Sequence, residues 1–149
     1  MSAAVPDRQI LPAVAAAIFN ERGEILLQRR KDTGQWCVIS GHVEFGETVE
    51  QAILREVMEE VNVAAKIVRF IGIYSSPLSQ TYHYGQGSVQ YVTSYFEVQV
   101  REEIDLSFSN EETGELRFFP VAELPQELAQ INEHWLSDVL DESKNVFIR

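Results

Sequence analysis

A loop with two glycines that runs directly into an acidic helical segment, residues 41–63, constrains this chain more than any other stretch. Thr48 and Gln51 have the spacing of a capping box, so a helix is expected to begin at Thr48 and to extend over residues 49–61. A rotation of roughly 100° per residue sorts its side chains onto two faces. One face is expected to contain Leu54, Val57, Met58 and Val61, and the other Glu56, Glu59 and Glu60.

The three glutamates occupy positions i, i+3 and i+4 of one helical turn, where their charges repel one another. Carboxylates held this closely on a rigid helix suit a hard divalent cation, and Mg²⁺ favours sites that it shares with substrate phosphates. The preceding loop adds Glu44 and Glu47, and Gly41 would let a backbone carbonyl approach an ion. A solvated acidic surface is the alternative interpretation, because Glu is a good helix former.

The full spacing of the stretch separates these two interpretations. Gly41 is followed after five residues by Glu47, and after seven more by Arg55-Glu56-Val57-x-Glu59-Glu60-x-Asn62-Val63. This register resembles the Nudix box, G-x5-E-x7-R-E-U-x-E-E-x-G-U with U a bulky aliphatic residue, at eight of its nine specified positions. Asn62 stands in place of the final glycine. Because Asn tolerates positive φ better than other side chains do, we expect a left-handed residue there, after the helix.

The resemblance extends over most of the chain and implies its fold. Residues 14–30 are similar to the family's opening hairpin, and residues 118–125 to its late strand and the turn that follows. The family's fold is α/β, a Nudix-type α/β/α sandwich with a mixed β-sheet in which the box forms a loop-helix-loop. Since no linker-like or repeated stretch divides the chain, residues 1–149 are expected to form a single domain.

The resemblance also implies a chemistry. Nudix pyrophosphohydrolases use Mg²⁺ or Mn²⁺ to hydrolyse the pyrophosphate linkage of a small nucleoside diphosphate derivative, by water attack on phosphorus. ADP-ribose, a nucleoside diphosphate sugar, a dinucleotide and a nucleoside triphosphate all stay open as substrates. Cations suit this reaction because they neutralise phosphoryl oxygens and lower the pKa of a bound water.

The resemblance assigns each role to the residue at the matching position of this chain. The metal ligands would be the Gly41 carbonyl and the carboxylates of Glu56, Glu59 and Glu60, with Glu112 as an additional ligand or base. Glu59 or Glu60 could act as the general base. Arg55 and Glu47 are expected to pair and to brace the loop against the helix. The alternative for Glu112 is a solvated loop carboxylate.

Three residues outside the box are candidate substrate contacts. Arg30 ends a predicted strand, near the position where some relatives place an arginine that contacts phosphate. Tyr82 and Tyr84 lie in a predicted hairpin loop and could stack on a base. The alternatives are a surface arginine and two tyrosines that cover the edge of the sheet.

Two functions of other classes compete with the hydrolase. A Nudix domain can bind a nucleotide as a sensor without turnover, but such domains usually lack one or more box glutamates, and all are present here. The acidic helix could instead dock another protein, a role on which Mg²⁺ would have no influence.

The amino-acid composition of the chain disfavours some classes of binding partner and some cellular locations. Twelve Lys and Arg against 23 Asp and Glu give a net charge of −11, which disfavours binding to a nucleic acid polymer. Cys37 is the only cysteine, which excludes an internal disulfide and fits a reducing compartment. The apolar run at residues 10–19 lacks a basic flank and is too short to span a membrane. A cytoplasmic protein is therefore expected, with no membrane partner.

The rest of the pattern predicts strands and two further helices. Residues rich in apolar, β-branched and aromatic types favour strands at 12–19, 24–29, 36–39, 66–74, 88–100 and 115–120. Residues 20–23 are expected to join the first two strands as a hairpin. Helices are expected at 121–128 and 131–140, the second with an apolar stripe that could serve a homodimer or pack on the sheet.

Overall fold

The computed structural model of the protein describes residues 7–85 and 87–149. Along these residues the chain forms strands and helices in the following order: β1 (Asp7–Ile18), β2 (Ile25–Arg30), β3 (Trp36–Cys37), β4 (Ile39–His42), α1 (Val49–Val61), β5 (Ala65–Tyr74), α2 (Pro77–Gln80), β6 (Thr81–Tyr84), β7 (Gly87–Val100), β8 (Thr113–Phe119), α3 (Trp135–Leu140) and β9 (Phe147–Ile148). Five of the six predicted strands are confirmed, with bounds that move by up to five residues. The single strand predicted at 36–39 is wrong: β3 pairs with β2 and β4 pairs with β1, so the segment divides between two sheets.

The strands form two sheets. The larger is mixed, in the order β4-β1-β7-β5-β9, with β6 also paired to β7. In this sheet β1 runs parallel to β7 and β5 runs parallel to β9, whereas the other pairs are antiparallel. The smaller sheet is antiparallel, in the order β3-β2-β8. The predicted α/β class with a mixed sheet is therefore correct.

The second half of strand β1, residues 13–18, is buried on both faces because each face meets a different apolar cluster. Val14, Ala16 and Ile18 point into a cluster that includes Ala52 and Val57 of helix α1. Ala15 and Ala17 point into a second cluster that includes Trp135 and Val139 of helix α3. Alternate residues of a strand face opposite sides of the sheet, so the central strand divides the core into two layers. The larger sheet therefore lies between helices, as in an α/β/α sandwich.

The predicted hairpin between the first two strands is only partly correct. The side chain of Asn20 accepts hydrogen bonds from the backbone of Arg22 and Glu24, so the expected turn does form. Phe19 and Ile25 then make an isolated antiparallel bridge, and the strands separate into different sheets. The reason is that β1 already pairs with β4 on one side and with β7 on the other, which leaves no edge for β2.

The C-terminal helix predictions are wrong over most of their length. Residues 121–128 are irregular, and the second helix is confined to Trp135–Leu140. The backbone near Leu128 pairs instead with β3, because the Trp36 amide donates to the Glu127 carbonyl and the Ala129 amide donates to Trp36. A backbone engaged by a strand edge cannot also make the hydrogen bonds of a helix.

Helix α1 begins and ends as predicted. The Thr48 side chain accepts a hydrogen bond from the Gln51 amide, and the Gln51 side-chain oxygen accepts one from the Thr48 amide. The helix extends over Val49–Val61. Asn62 follows with φ 61° and ψ 35°, the expected left-handed conformation. Among the described residues, the structure has no helix that is both long and apolar enough to cross a membrane.

Candidate active site

Three carboxylates on helix α1 form an acidic cluster. Glu56, Glu59 and Glu60 each offer an oxygen, and these oxygens lie within 4.8 Å of one another. The predicted division of the helix into an apolar and an acidic face is wrong in one respect. Glu56 and Glu60 are 7% and 3% exposed, whereas Met58 of the expected apolar face is 47% exposed. The acidic cluster thus lies at the boundary between the helix and the sheet rather than on the open surface.

Arg55 ties the preceding loop to this helix. Its Nε and Nη2 atoms donate to the two carboxylate oxygens of Glu47, at 2.6 and 3.0 Å, and Nη2 also donates to the His42 carbonyl at 2.9 Å. Nη1 donates to Glu56 at 3.0 Å and to Glu59 at 3.2 Å. The hydrogen bond from Arg55 holds the pKa of Glu47 below its usual range. A planar guanidinium with several donors suits this fan of acceptors, and lysine would not replace it.

Gly41 is the position at which the loop passes the acidic cluster. A Cβ atom at Gly41 would overlap the carboxylate group of Glu56, so only glycine leaves room for that side chain. Farther along the loop, Gly46 has φ +86°, which lets the chain turn between Glu44 and Glu47. The close passage brings the backbone of Gly41 against the acidic cluster, as a carbonyl ligand would require.

The donor set fits a hard divalent cation. Burial raises the pKa of Glu56 to about 7 and also raises the pKa of Glu60. Charged carboxylates in such a place are costly unless a cation compensates them. Arg55 is already shared among several acceptors and contacts Glu56 through one nitrogen. The available ligand atoms are all oxygens, they lie on a rigid helix, and the Gly41 backbone passes close to them. Mg²⁺ and Mn²⁺ prefer such oxygen ligands.

The loop that leads into β8 of the smaller sheet packs against the acidic cluster. The Asn110 side chain donates to the Glu59 carbonyl at 2.9 Å, and its oxygen accepts from the amides of Glu112 and Thr113. Glu112 is thereby brought next to Glu60, and this carboxylate adds to the effect of burial in raising the pKa of Glu60. Glu112 also lines the cavity described below. Its placement beside the acidic cluster depends on the Asn110 turn and on the long-range hydrogen bond from Asn110 to the Glu59 carbonyl.

A cavity of about 620 Å³ opens beside the acidic cluster. One face of the larger sheet forms its floor, where Ala13 and Ala15 of β1 supply only methyl groups. Tyr91, Thr93 and Tyr95 alternate along β7 on the same face. Small side chains on the central strand and large ones on its neighbour therefore leave a hollow that is continuous with Glu56 and Glu59.

The three predicted substrate contacts all line this cavity, but each already has a partner. Arg30 donates to both carboxylate oxygens of Asp32, at 3.0 and 2.9 Å, and this pairing raises the pKa of the guanidinium. The Tyr82 hydroxyl donates to a backbone carbonyl at residue 130, and the Tyr84 hydroxyl lies 3.1 Å from that of Tyr91. These side chains therefore have set positions before any ligand binds.

Sequence reasoning missed several residues of the cavity. Tyr91 stacks on His42 at 5.4 Å between ring centroids and also contacts Tyr82, so it is the centre of an aromatic group. The alternation along residues 88–100 could have indicated Tyr91, Thr93 and Tyr95 as one face. Asp32 lies two residues after Arg30, a spacing that gives no signal by itself.

Comparison with known proteins identifies relatives along most of the chain. A family model described as NUDIX domain matches residues 10–139. An ADP-ribose pyrophosphatase of Methanocaldococcus jannaschii is 43% identical over 70 residues, which are 44% of this chain and 41% of that protein. The NAD-capped RNA hydrolase NudC of Salmonella agona is 42% identical over 74 residues, 49% of this chain and 29% of that protein. The matched segments thus span less than half the length of these curated relatives.

Solved structures share the fold at lower identity. The crystal structure of a UDP-X diphosphatase superposes with a TM-score of 0.76 at 22% identity, and the match covers 99% of this chain and 68% of that chain. Identity this low supports the likeness of the fold alone. The match nevertheless includes both sheets and the helices, since nearly all of this chain is covered.

Proposed function

Because the chain belongs to the Nudix family, whose model matches residues 10–139, we propose that it hydrolyses the pyrophosphate linkage of a small nucleoside diphosphate derivative with Mg²⁺ or Mn²⁺. The observation that carries the proposal is the acidic cluster, whose oxygens lie within 4.8 Å of one another beside a cavity large enough for such a ligand. A surface that merely keeps the protein dissolved would not bury Glu56 and Glu60.

We assign the metal to Glu56, Glu59, Glu60 and the Gly41 carbonyl, with Glu112 at the margin of the site. A divalent cation bound there would neutralise phosphoryl oxygens and make a water molecule more acidic. The protein's own residues hold the site in shape. Arg55 and Glu47 hold the loop against the helix so that the backbone of Gly41 stays beside Glu56.

We propose Glu59 or Glu60 as the general base that takes the proton from the attacking water. Glu59 is half-exposed at the cavity and could accept a proton directly or through one water. Glu60 is buried and already accepts a hydrogen bond from Thr113, which favours a holding role for it. Of the two, Glu59 is therefore the stronger candidate for the base.

The cavity supports a nucleoside as the non-reacting part of the substrate. Tyr82, Tyr84 and Tyr91 offer aromatic surface on which a base could stack. Arg30 would contact phosphate, and a phosphate would then compete with Asp32 for the guanidinium. The names of two curated relatives contain ADP-ribose and NAD, so a nucleoside diphosphate group is the part that these two ligands have in common. The expectation that no nucleic acid polymer binds stays a prediction, since one relative is named for a capped RNA.

The organisation of the protein is part of the proposal. The smaller sheet shares both apolar clusters with the larger one, through Leu26 on one side and Leu27 on the other, which supports a single domain. The homodimer and the cytoplasmic location stay predictions.

A panel of nucleotide derivatives tests the proposed function. The wild-type protein with Mg²⁺ should release product from at least one of ADP-ribose, a nucleoside diphosphate sugar, a dinucleotide or a nucleoside triphosphate. Glu59→Gln and Glu60→Gln should each lower turnover by about 10²–10⁴-fold, because each removes a charge from the acidic cluster. Glu50→Gln, an exposed acid on the same helix, is the matched control and should keep wild-type turnover.

Two results would count against the hydrolase. Retained turnover in both Glu59→Gln and Glu60→Gln would contradict the assignment of these side chains. Absence of turnover across the panel, together with measurable binding of ADP-ribose, would favour a sensor that binds nucleotides without cleaving them.

A further inference from the structure

A buried polar chain links the smaller sheet to the acidic cluster. Gln28 of β2, Thr113 of β8 and Glu60 of α1 are 2%, 0% and 3% exposed. The Thr113 hydroxyl donates to a carboxylate oxygen of Glu60 and also lies 2.5 Å from the side-chain oxygen of Gln28. Polar groups this deeply buried are costly unless they are paired, so these three residues depend on one another.

A β-bulge turns Thr113 toward the helix. Arg29 pairs with Glu115 and Arg30 pairs with Thr113, so Gly114 is the extra residue between two rungs of the ladder. In a regular strand without the bulge, strict alternation would put Thr113, three residues before Leu116, on the opposite face from Leu116, which packs in the cluster under α1. Bulges commonly re-aim a side chain next to an active site. Here the bulge brings a hydroxyl to Glu60.

The hydrogen-bond capacities decide the direction of the chain. A threonine hydroxyl has one hydrogen, and a carboxylate is a stronger acceptor than an amide oxygen, so the hydrogen goes to Glu60. Gln28 lies behind Thr113, with its side-chain oxygen toward the Thr113 hydroxyl and its nitrogen donating to the Val38 carbonyl at 3.4 Å. The result is a fixed carboxylate, held on one oxygen by the protein itself.

We propose that Thr113 is a positioning residue for Glu60, and that Gln28 holds Thr113 in place. The hydroxyl keeps the Glu60 carboxylate in one orientation toward Glu56 and Glu59, so that the acidic cluster is ordered before a cation arrives. The inference rests on the metal site of the proposed function. Groups that orient a metal ligand from behind typically contribute about 10–100-fold to metal affinity.

Metal binding by the protein alone tests this role. Thr113→Val keeps the size of the side chain and removes the hydroxyl, and Thr113→Ser keeps the hydroxyl and removes a methyl group. Isothermal titration with Mn²⁺ should show about 10–100-fold weaker binding for Thr113→Val than for the wild type. Thr113→Ser should bind within about threefold of the wild type by the same reasoning. Circular dichroism of each variant reports whether its fold is retained.

A second variant covers the case in which Thr113→Val does not fold. Gln28→Met removes the partner behind Thr113 at similar volume, and it should weaken Mn²⁺ binding in the same direction but by less than Thr113→Val. Wild-type Mn²⁺ affinity in a folded Thr113→Val, or in Gln28→Met if only that variant folds, would overturn the proposal. An equal loss in Thr113→Val and Thr113→Ser would also overturn it, because packing would then be the cause. A wild-type protein that binds no Mn²⁺ would overturn it as well.

The titration is independent of turnover. If the nucleotide panel gave no product but the hydroxyl still controlled Mn²⁺ affinity, the proposed hydrolysis would fail and the role of Thr113 would stand. If the wild type hydrolysed a nucleotide and Thr113→Val bound Mn²⁺ normally, only the role of Thr113 would fail.

Discussion

A single missing Cβ at Gly41 determines how closely the loop can approach helix α1. The space that a methyl group would fill is occupied by the carboxylate of Glu56, which is itself almost fully buried. Gly41 could not be enlarged without displacing Glu56, since protein interiors are closely packed. The glycine and the glutamate of the box are therefore one steric unit as well as neighbours in the proposed metal site.

Gly41→Ala tests this unit. The added methyl group should force Glu56 or the loop to move, and the free energy of unfolding should fall by about 1–3 kcal/mol. Mn²⁺ affinity should fall with it, because the displaced carboxylate belongs to the acidic cluster. The control is Gly85→Ala, where an added Cβ meets nothing within 4 Å. Denaturant unfolding and Mn²⁺ titration measure the two effects, and a stable Gly41→Ala with unchanged affinity would contradict the overlap.

Helix α1 is the element whose ends the chain specifies most locally. The capping box at Thr48 and Gln51 satisfies amides at its start, and the left-handed Asn62 donates its amide to the Met58 carbonyl at its end. Left-handed backbone costs an ordinary side chain about 1–2 kcal/mol, and Asn less than most. The departure from the glycine of the Nudix box thus keeps the backbone shape that the glycine would have.

Substitutions at Asn62 should change stability and leave turnover unchanged. Asn62→Gly should raise the melting temperature, by roughly half a kcal/mol in stability, because glycine adopts positive φ without strain. Asn62→Ala should lower stability by about 1 kcal/mol for the opposite reason. Thermal unfolding of the pair gives the sign of each effect. A melting temperature for Asn62→Gly at or below that of the wild type would mean that the strain is absent.

At the scale of the whole molecule, an ion pair between Asp138 and Arg149 joins elements outside the acidic cluster. Asp138 of α3 accepts two hydrogen bonds from Arg149, at 3.0 and 2.8 Å, and one from the Tyr74 hydroxyl of β5 at 2.5 Å. The Arg149 amide also donates to the Ile73 carbonyl of β5, and the Arg149 carbonyl accepts from the amide of Ser75, which directly follows β5. Helix α3, strand β5 and the segment around β9 are therefore joined at one buried carboxylate.

The stability of this junction should depend on acid pH. Burial acts to raise the pKa of Asp138, but the hydrogen bonds from Arg149 and Tyr74 outweigh it and leave the pKa below its usual value. A lowered folded pKa adds stability above the unfolded value of about 3.9, and that stability is lost as pH falls through the folded value. The junction should thus be at full strength near neutral pH and should weaken under acid conditions.

Asp138→Asn measures this contribution. At pH 6 it should lower the free energy of unfolding by about 2 kcal/mol, because it weakens hydrogen bonds to a charged group. The difference from the wild type should shrink as the pH is lowered toward 2. Glu142→Gln, which removes an exposed carboxylate nearby, is the control and should follow the wild-type curve. A difference that stays constant across this range would mean that the Asp138 charge is not involved.

Local pattern was a sound guide to the acidic cluster and a poor guide to what surrounds it. The spacing of Glu56, Glu59 and Glu60 brings them together in any regular helix, so their proximity needed no tertiary information. Their burial did need it, because the helix packs with Ala52 and Ile53 against β1, and this rotation exposes Met58. Amphipathic patterns identify a buried side only to within part of a turn.

The chain by itself determined the start and end of helix α1, the left-handed Asn62, five of the six predicted strand segments and the set of candidate ligands. Caps, turns and periodicity act over a few residues, which is why these features could be predicted. Tertiary structure alone decided that the first two strands enter different sheets, that the backbone near Leu128 pairs with Trp36 instead of forming a helix, and that Glu112 and Thr113 reach the acidic cluster. Those outcomes depend on which strand edges are free and on one bulge at Gly114, and both are settled only by segments distant in sequence.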